Sequence, residues 1–462
     1  MRPSIDLSSA SRRSLVLVLV LAVLVVPSLA GPSAEELLGD VADAAAQQWI
    51  RQLRQQYLED FGVPPGQPDP ASDGKCEPPG PLPTLPLPSL EPVHGNRVEP
   101  IYGIRPHVER LKQDIRQAKN RIYCDLYILG GRIGAEVAVE LVRRHREGLD
   151  VRVIIDRHLG TLRVLRQEIR AVKKIFDHAK VPLRIAALRN GGTILHRYTE
   201  DHNKLVVIDG RITYTGGTNV TDHFFKYFDL QVRVEGPVAA LVEQQFLYDW
   251  ELAGMSSFSQ PPDLMSTASG LLENQSAEGL STIRLVGTGV GRQTFYGALL
   301  NAIRSARSSI SVQVHQLNED TVLDELIRAK NRGVNVRALL DPTNVDNLIP
   351  LIHSGPRVLF NAHAVVRLGE ASVPVRFVSL DDGYDAYHMK LGVFDRKVLL
   401  VGSANWDYLG PHSATETVLE IAGGDCVREV ADRFDTAWDN HSTTPAVGYF
   451  SRLLNYLMRL YY

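Results

Sequence analysis

Two stretches of this 462-residue chain place the same reactive side chains at the same spacing. The first, HNKLVVIDGRITYTGGTN, runs from His202 to Asn219; the second, HMKLGVFDRKVLLVGSAN, runs from His388 to Asn405. Each sets a histidine two residues before a lysine, an aspartate five residues after that lysine, and a Gly-Gly or Gly-Ser pair shortly before an asparagine. Residues two apart on a strand share a face, so His202 points the same way as Lys204, and His388 the same way as Lys390. Lysine and the side-chain amides of Asn219 and Asn405 are donors suited to an anion whose charge is spread over several oxygens. An imidazole beside such an anion can attack phosphorus, and a second imidazole can protonate the departing alkoxide. No carboxylate cluster and no histidine pair at helical spacing accompanies the set, so neither a metal nor a cofactor is expected. The small residues Gly216, Gly217, Gly402 and Ser403 predict a close approach of the backbone to a ligand. A single His-x-Lys on an amphipathic strand is usually a surface pair. It is the repetition that points to chemistry.

The repetition reaches well beyond the motifs. Gly148–Asp156 matches Gly333–Asp341 at an offset of 185, the histidine segments match at 186, and Asp229–Gly236 matches Glu416–Gly423 at 187. So little drift over so many positions means an internal duplication. In the first copy the periodicity predicts helices over Val108–Lys119, Glu136–Arg146 and 164–179, alternating with strands over 121–129, Asp150–Asp156 and 183–188. The predicted fold class is α/β: two duplicated sandwich domains, each with a buried parallel or mixed sheet, packed face to face about a pseudo-twofold axis.

His-x-Lys, four residues, Asp, six residues, Gly-Gly or Gly-Ser resembles the signature of the phospholipase D superfamily, and it occurs here twice. The resemblance covers roughly Pro100 to Asn440. The runs KLVVIDGRITYTGGTN, VRVEGPVAALVEQQFLYDW and GSANWD look most like those of bacterial cardiolipin synthases. It implies a metal-free, two-step exchange through a phosphohistidine at the interface of the two halves. His202 would be the nucleophile and His388 the acid, then the base; Lys204, Lys390, Asn219 and Asn405 would bind the phosphate. The motif aspartates Asp209 and Asp395 lie past the strand at the turn and are expected to brace the fold. Asp229 and Glu416, 27 and 28 residues after His202 and His388, are the better histidine partners. The family places an acid about there, on the far imidazole nitrogen, where it fixes the tautomer. The chain departs from that group in carrying one short apolar N-terminal run rather than paired spanning helices. It also lacks the Trp-Arg-Asp and Arg-Ser runs after the two asparagines.

The remaining segments set the context. Residues 1–30 form a basic leader, an apolar core at Leu15–Val26 and small residues at Ser28 and Ala30. This reads as a cleaved signal or an uncleaved anchor, and SRRSL resembles a weak twin-arginine signal. The expectation is an exported protein: periplasmic, secreted or attached to the membrane from outside. Residues 31–62 repeat apolar side chains at helical spacing (Leu38, Val41, Ala45, Trp49, Leu53, Tyr57), and residues 63–100, with twelve of the 26 prolines, read as a Pro-rich linker. The first duplicated domain is placed at 101–254, a linker at 255–282, the second domain at 283–444. At 445–462 an amphipathic helix with Phe450, Leu453, Leu454, Leu457 and Tyr461 on one face could lie in a membrane interface.

The formal charge is −3, and becomes −5 without the three arginines and one aspartate of residues 1–30. Nucleic acid is therefore not the expected partner; a phospholipid substrate at a membrane surface is. Cys76, Cys124 and Cys426 match no zinc spacing, and an exported chain could pair two of them. Both half-sites lie in one chain, and the sequence leaves the oligomeric state open. The expected activity is hydrolysis or exchange of phospholipid phosphodiesters. The alternatives are a phosphodiesterase on nucleic acid and a catalytically idle envelope protein that binds membranes.

Overall fold

The β-rich motif KLVVI alternates its apolar side chains between two cores. Leu205 and Val207 pack into one, Val206 and Ile208 into the other. A strand buried on both faces reads as a continuous apolar run, and helices or a second sheet must cover each side. The structure is a computed structural model and describes residues 85–157, 163–186, 200–255, 264–266, 269–342, 360–380, 383–407 and 409–445. The N-terminal leader, the helix expected at 31–62, Cys76, most of the Pro-rich stretch and the C-terminal helix lie outside the described residues.

The first repeat runs β1 (Val93–Tyr102), α1 (Ile104–Gln117), β2 (Arg121–Leu126), α2 (Gly131–Arg146), β3 (Asp150–Asp156), α3 (Arg163–Ala179) and β4 (Leu183–Ala186). Its histidine segment supplies β5 (Lys204–Ile208) and β6 (Ile212–Gly216); β7 (Tyr227–Phe228), β8 (Leu230–Glu235) and α4 (Val238–Ala253) complete it, and β9 (Leu264–Met265) lies between the repeats. The second repeat opens with β10 (Ser281–Gly289), β11 (Arg292–Gln293), α5 (Thr294–Ser305), β12 (Ser309–Val314) and α6 (Asp320–Asn331). It continues through β13 (Asn335–Leu340), α7 (Phe360–Glu370), β14 (Val375–Val378) and β15 (Ala386–Tyr387). It closes with β16 (Lys390–Phe394), β17 (Val398–Gly402), α8 (Leu409–His412), β18 (Glu416–Ala422), α9 (Gly424–Asn440) and β19 (Ser442–Thr443).

Both repeats build the same mixed sheet. In the first, β2, β3 and β4 are parallel, and β5, β6, β8 and β1 follow on the other side of β2 in antiparallel pairs. In the second the order is β14, β13, β12, β16, β17, β18, β10 with the same directions. β1 also pairs antiparallel with β10 (Val93 with Ile283, Asn96 with Ser281), which joins the two sheets at their edges. One core lies under the helices of each repeat. A third lies between the repeats, where Leu205, Val207, Val232 and Phe246 meet Leu391, Val393, Leu419 and Phe434. A buried ion pair, Arg292 Nη2 to Asp249 Oδ2 at 2.7 Å, crosses the same boundary. Cys124 and Cys426 are buried free thiols.

Two expectations are corrected. Residues 93–100 are strand, not the end of a linker. The proline density concealed a tertiary pairing, and Pro100 is tolerated because that end of β1 is paired only with β8. The strand expected to run to Leu129 stops at Leu126: Tyr127 N–H still donates to Asn203 O at 2.6 Å in register, but Ile128–Gly130 then turn to Val220, which Leu129 bridges in parallel.

The motif aspartates hold the far ends of β5 and β16, seven residues and so roughly 20–24 Å along the strand from the histidines. Asp209 accepts from the backbone N–H groups of Lys119 (2.7 Å), Asn120 (2.7 Å) and Arg121 (2.9 Å). Asp395 accepts from those of Arg307 (2.9 Å), Ser308 (2.7 Å) and Ser309 (2.9 Å). Partial burial pushes both carboxyls up, but these N–H donors outweigh it and hold them below the ordinary carboxylate range. A depressed folded value adds stability that is present at neutral pH and is lost as pH falls through it. Asp209→Asn should therefore lower the unfolding free energy by about 1–3 kcal/mol at pH 7. In urea titrations the gap to wild type should close in strong acid. A gap that persists there would remove the charge from this account.

Candidate active site

The start of β5 and the start of β16 bring the two motif histidines to the boundary between the repeats. His202 N–H donates to Thr415 O at 2.9 Å, and His388 N–H donates to Phe228 O at 2.8 Å. Thr415 and Phe228 immediately precede Glu416 and Asp229, so each backbone bond delivers a carboxylate of the other repeat to a histidine. His202 Nδ1 lies 2.8 Å from Glu416 Oε1, and His388 Nδ1 lies 2.7 Å from Asp229 Oδ2. The pairs are crossed. Spacing within one repeat points to the right acids but does not show that they are exchanged. A parallel bridge from Asp201 to Thr415 and the short pairing of β7 with β15 reinforce the same boundary.

Lys204 Nζ donates to His202 O at 2.7 Å and stands 4.8 Å above the Tyr127 ring. Lys390 Nζ donates to His388 O at 2.8 Å and sits 3.0 and 3.1 Å from the two ring nitrogens of His388. All six residues are at least nine-tenths buried. Burial is the first cause of the titration shifts of the two acids, the two lysines and His388. It pushes the carboxyls of Asp229 and Glu416 up to about 7 and about 8, against the pull of both lysines. It pushes the ammonium groups of Lys204 and Lys390 down to about 7 and about 8, against the pull of the same carboxylates. Burial, then Lys390, then His315 hold His388 well below the ordinary imidazole range. Two acids and two lysines thus neutralise one another. A single negative charge entering the site would be balanced by one imidazole taking a proton.

The small residues do a different job from the one expected. A Cβ on Gly216 or Gly402 would run into the carbonyl of Leu230 or Thr417, and a Cβ on Gly217 would run into the Asp229 carboxylate. The space is taken by the neighbouring strand and by the histidine's own partner, not by a ligand. Ser403, at the position matching Gly217, instead donates its hydroxyl to Glu416 Oε2. Asn219 Oδ1 and Asn405 Oδ1 are buried with no hydrogen-bond partner among the described residues, and Asn405 Nδ2 reaches Gln316 Oε1 at 3.3 Å. Asp209 and Asp395 stay at the opposite strand ends. Among the described residues no group of three or more His, Cys, Asp or Glu side chains is arranged to hold a metal ion.

Several neighbours were not anticipated. Tyr127 lies edge-on to His202, with ring centroids 4.6 Å apart. His315 lies at the same distance from His388, which Tyr227 and Phe224 also flank at 5.8 and 6.2 Å. Behind His202, Asn203 Nδ2 bridges Asp125 Oδ2 (2.9 Å) and Asp201 Oδ1 (3.2 Å), while Asn203 Oδ1 accepts from Thr417 Oγ1 (2.8 Å). Tyr127 and His315 were findable. Each is the first residue past matching strands at a constant offset of 188.

A family model described as "Cardiolipin synthase, PLD-like domain" matches twice, over residues 111–250 and 299–438. Cardiolipin synthase A of Pectobacterium carotovorum is 28% identical over 333 residues, 68% of this chain and 63% of that protein. Cardiolipin synthase A of Erwinia tasmaniensis is 29% identical over 332 residues, with the same shares. The chain thus spans 63% of the length of these curated relatives. Among solved structures, phosphatidylserine synthase of Haemophilus influenzae has a TM-score of 0.58 at 15% identity, covering 79% of this chain and 93% of that one, a likeness of fold. No described helix is long and apolar enough to cross a membrane.

The crossed pairing has a direct test. In side-chain nitrogen NMR, Asp229→Asn should shift the imidazole resonances of His388 far more than those of His202. Glu416→Gln should do the reverse. Each carboxylate moving the histidine of its own repeat would contradict the arrangement.

Proposed function

The chain belongs to the family described as cardiolipin synthase, PLD-like domain, and we propose that it transfers or hydrolyses the phosphatidyl group of phospholipids through a phosphohistidine. The observation that carries this is the meeting of two buried His–Lys pairs across the repeat boundary, each histidine held through Nδ1 by a carboxylate. That contact sets the proton on Nδ1 and leaves Nε2 as the reactive atom. In the first step His202 Nε2 attacks phosphorus while His388 protonates the departing alcohol. Without an anion His388 is held neutral by burial and Lys390; the phosphodiester's negative charge beside it raises its proton affinity. In the second step His388 takes the proton of water or an alcohol, whose oxygen displaces His202 from phosphorus. Water gives phosphatidic acid, and phosphatidylglycerol as acceptor gives cardiolipin. Lys204, Lys390, Asn219 and Asn405 hold the phosphate oxygens. The basic leader and apolar run at residues 1–30 support work at a membrane surface from outside the cytoplasm.

The two histidines should fail differently. His202→Ala should be inactive on phosphatidylglycerol vesicles and on a nitrophenyl phosphodiester alike. His388→Ala should lose a further factor of roughly 10²–10⁴ on the lipid, because a nitrophenolate leaves without acid help. It should also accumulate a phosphorylated enzyme after acid quench, located by mass spectrometry on His202. An adduct on His388 in the His202 variant reverses the roles. Turnover of DNA but not of lipid by the wild type selects a nuclease, and turnover of neither selects an idle protein.

The lysines set the alkaline limb. They lose charge near pH 7 to 8 in the free protein, so kcat/KM should begin to fall above about pH 7. A bound phosphate favours the charged ammonium, so the limb in kcat should lie higher. EDTA should leave the rate unchanged. Loss of activity in EDTA, restored by a divalent ion, would mean that the lysines do not neutralise the phosphate alone.

A further inference from the structure

The duplication supplies an internal control for the two walls of the site. The residues after β2 and after β12 follow the same backbone path. Tyr127 N–H donates to Asn203 O at 2.6 Å and His315 N–H donates to Met389 O at 2.7 Å. Ile128 O accepts from Val220 N–H at 3.1 Å and Gln316 O accepts from Trp406 N–H at 3.0 Å. The side chains differ in kind. Against His202 stands Tyr127, while Ile128 is packed into the core of the first repeat. Against His388 stands His315, and Gln316 beside it reaches Asn405; both are half-buried.

The polar wall is also held in place. Asn361 Nδ2 donates to His315 O at 2.8 Å and to Asp341 O at 3.0 Å, and Asn361 Oδ1 accepts from Leu317 N–H at 3.0 Å. Asp341 Oδ2 lies 3.8 Å from His315 Nδ1. Gln316 Oε1 accepts from Asn405 Nδ2 and so joins this wall to a phosphate-side amide. None of this is needed to hold His388, which Asp229 and the backbone of Phe228 already fix. Matched backbones carrying a phenol ring beside one histidine and an imidazole with a neighbouring amide beside the other mean that the two sides receive different groups.

We propose that His315 and Gln316 form a subsite for a small polyhydroxyl alcohol, the group that leaves or enters beside His388. The subsite rests on the phosphatidyl-transfer reading and extends it. In the transfer step the alcohol's O–H bond breaks and its proton passes to His388. The alcohol oxygen bonds to phosphorus, and the bond from phosphorus to His202 breaks. His315 and Gln316 take no part in this exchange of bonds. They hydrogen-bond the hydroxyls that do not react, and so select a polyol over a monohydric alcohol or water. Tyr127 presents an aromatic ring on the opposite side, suited to the acylated part of the donor.

The test is a competition in the full chain. Phosphatidylglycerol vesicles are supplied with equimolar deuterated glycerol and ethanol, and labelled phosphatidylglycerol and phosphatidylethanol are counted by mass spectrometry. Both products form from one intermediate, so their ratio reads acceptor choice whatever the overall rate. The wild type should favour glycerol. His315→Phe and Gln316→Ile, the latter installing the residue of the other repeat, should each lower the ratio about fivefold to tenfold, the effect of one lost hydrogen bond. His315→Gln should keep most of it. An equal ratio in wild type and all three variants overturns the subsite while leaving transfer intact. So does a wild type that only hydrolyses the donor. A wild type that turns over no lipid overturns the transfer reading itself.

Discussion

Each catalytic candidate is completed by the repeat it does not belong to. His202 takes Glu416 on its ring and Thr415 on its backbone; His388 takes Asp229 and Phe228. One hydrogen bond aligns the strands and the other orients the imidazole, so folding of the interface and assembly of the site are the same event. The third core, shared by the inner faces of both sheets, supplies the apolar burial that makes this exchange stable. The edge pairing of β1 with β10 and the Arg292–Asp249 ion pair act at the same boundary. A site assembled this way cannot exist in a separated repeat.

Burial explains the electrostatics of that boundary. Two carboxylates and two lysines taken out of water each favour the neutral form, and each is kept partly charged only by the others. Such a balanced set costs less than any lone buried charge. It also responds strongly to an arriving anion, because a low-dielectric site magnifies every added charge. In the proposed reaction the same phosphate that needs neutralising therefore favours protonation of the imidazole assigned as acid.

The repeats keep the same strand order and the same His, Lys and Asn positions, and differ in the residues packed around them. Gly217 clears room for the short Asp229, while Ser403 donates to the longer Glu416. Tyr127 stands where the other half has His315, and Asp125 where it has Gln313, which reaches Tyr387 Oη. A pseudo-twofold frame with unequal walls suits a reaction whose two histidines have opposite tasks.

The repeat, the fold class and the two His–Lys pairs were legible in the sequence because they rest on local rules. Strand alternation, fixed motif spacing and a nearly constant offset need no knowledge of distant contacts. The bracing place of Asp209 and Asp395 followed from their position one step past the strand. The ends of elements were less legible. Pro100 lies in a strand only because β8 pairs with it, and β2 ends early because Leu129 bridges to Val220 instead of staying beside β5. The glycines' purpose was misjudged, since only packing shows that a carboxylate and a neighbouring strand occupy their space. The crossing of Asp229 and Glu416 and the place of His315 and Gln316 at the wall were decided by the tertiary structure alone. These contacts join residues 44 to 214 positions apart, and no rule of spacing within one segment encodes which partner a chain folded on itself will choose.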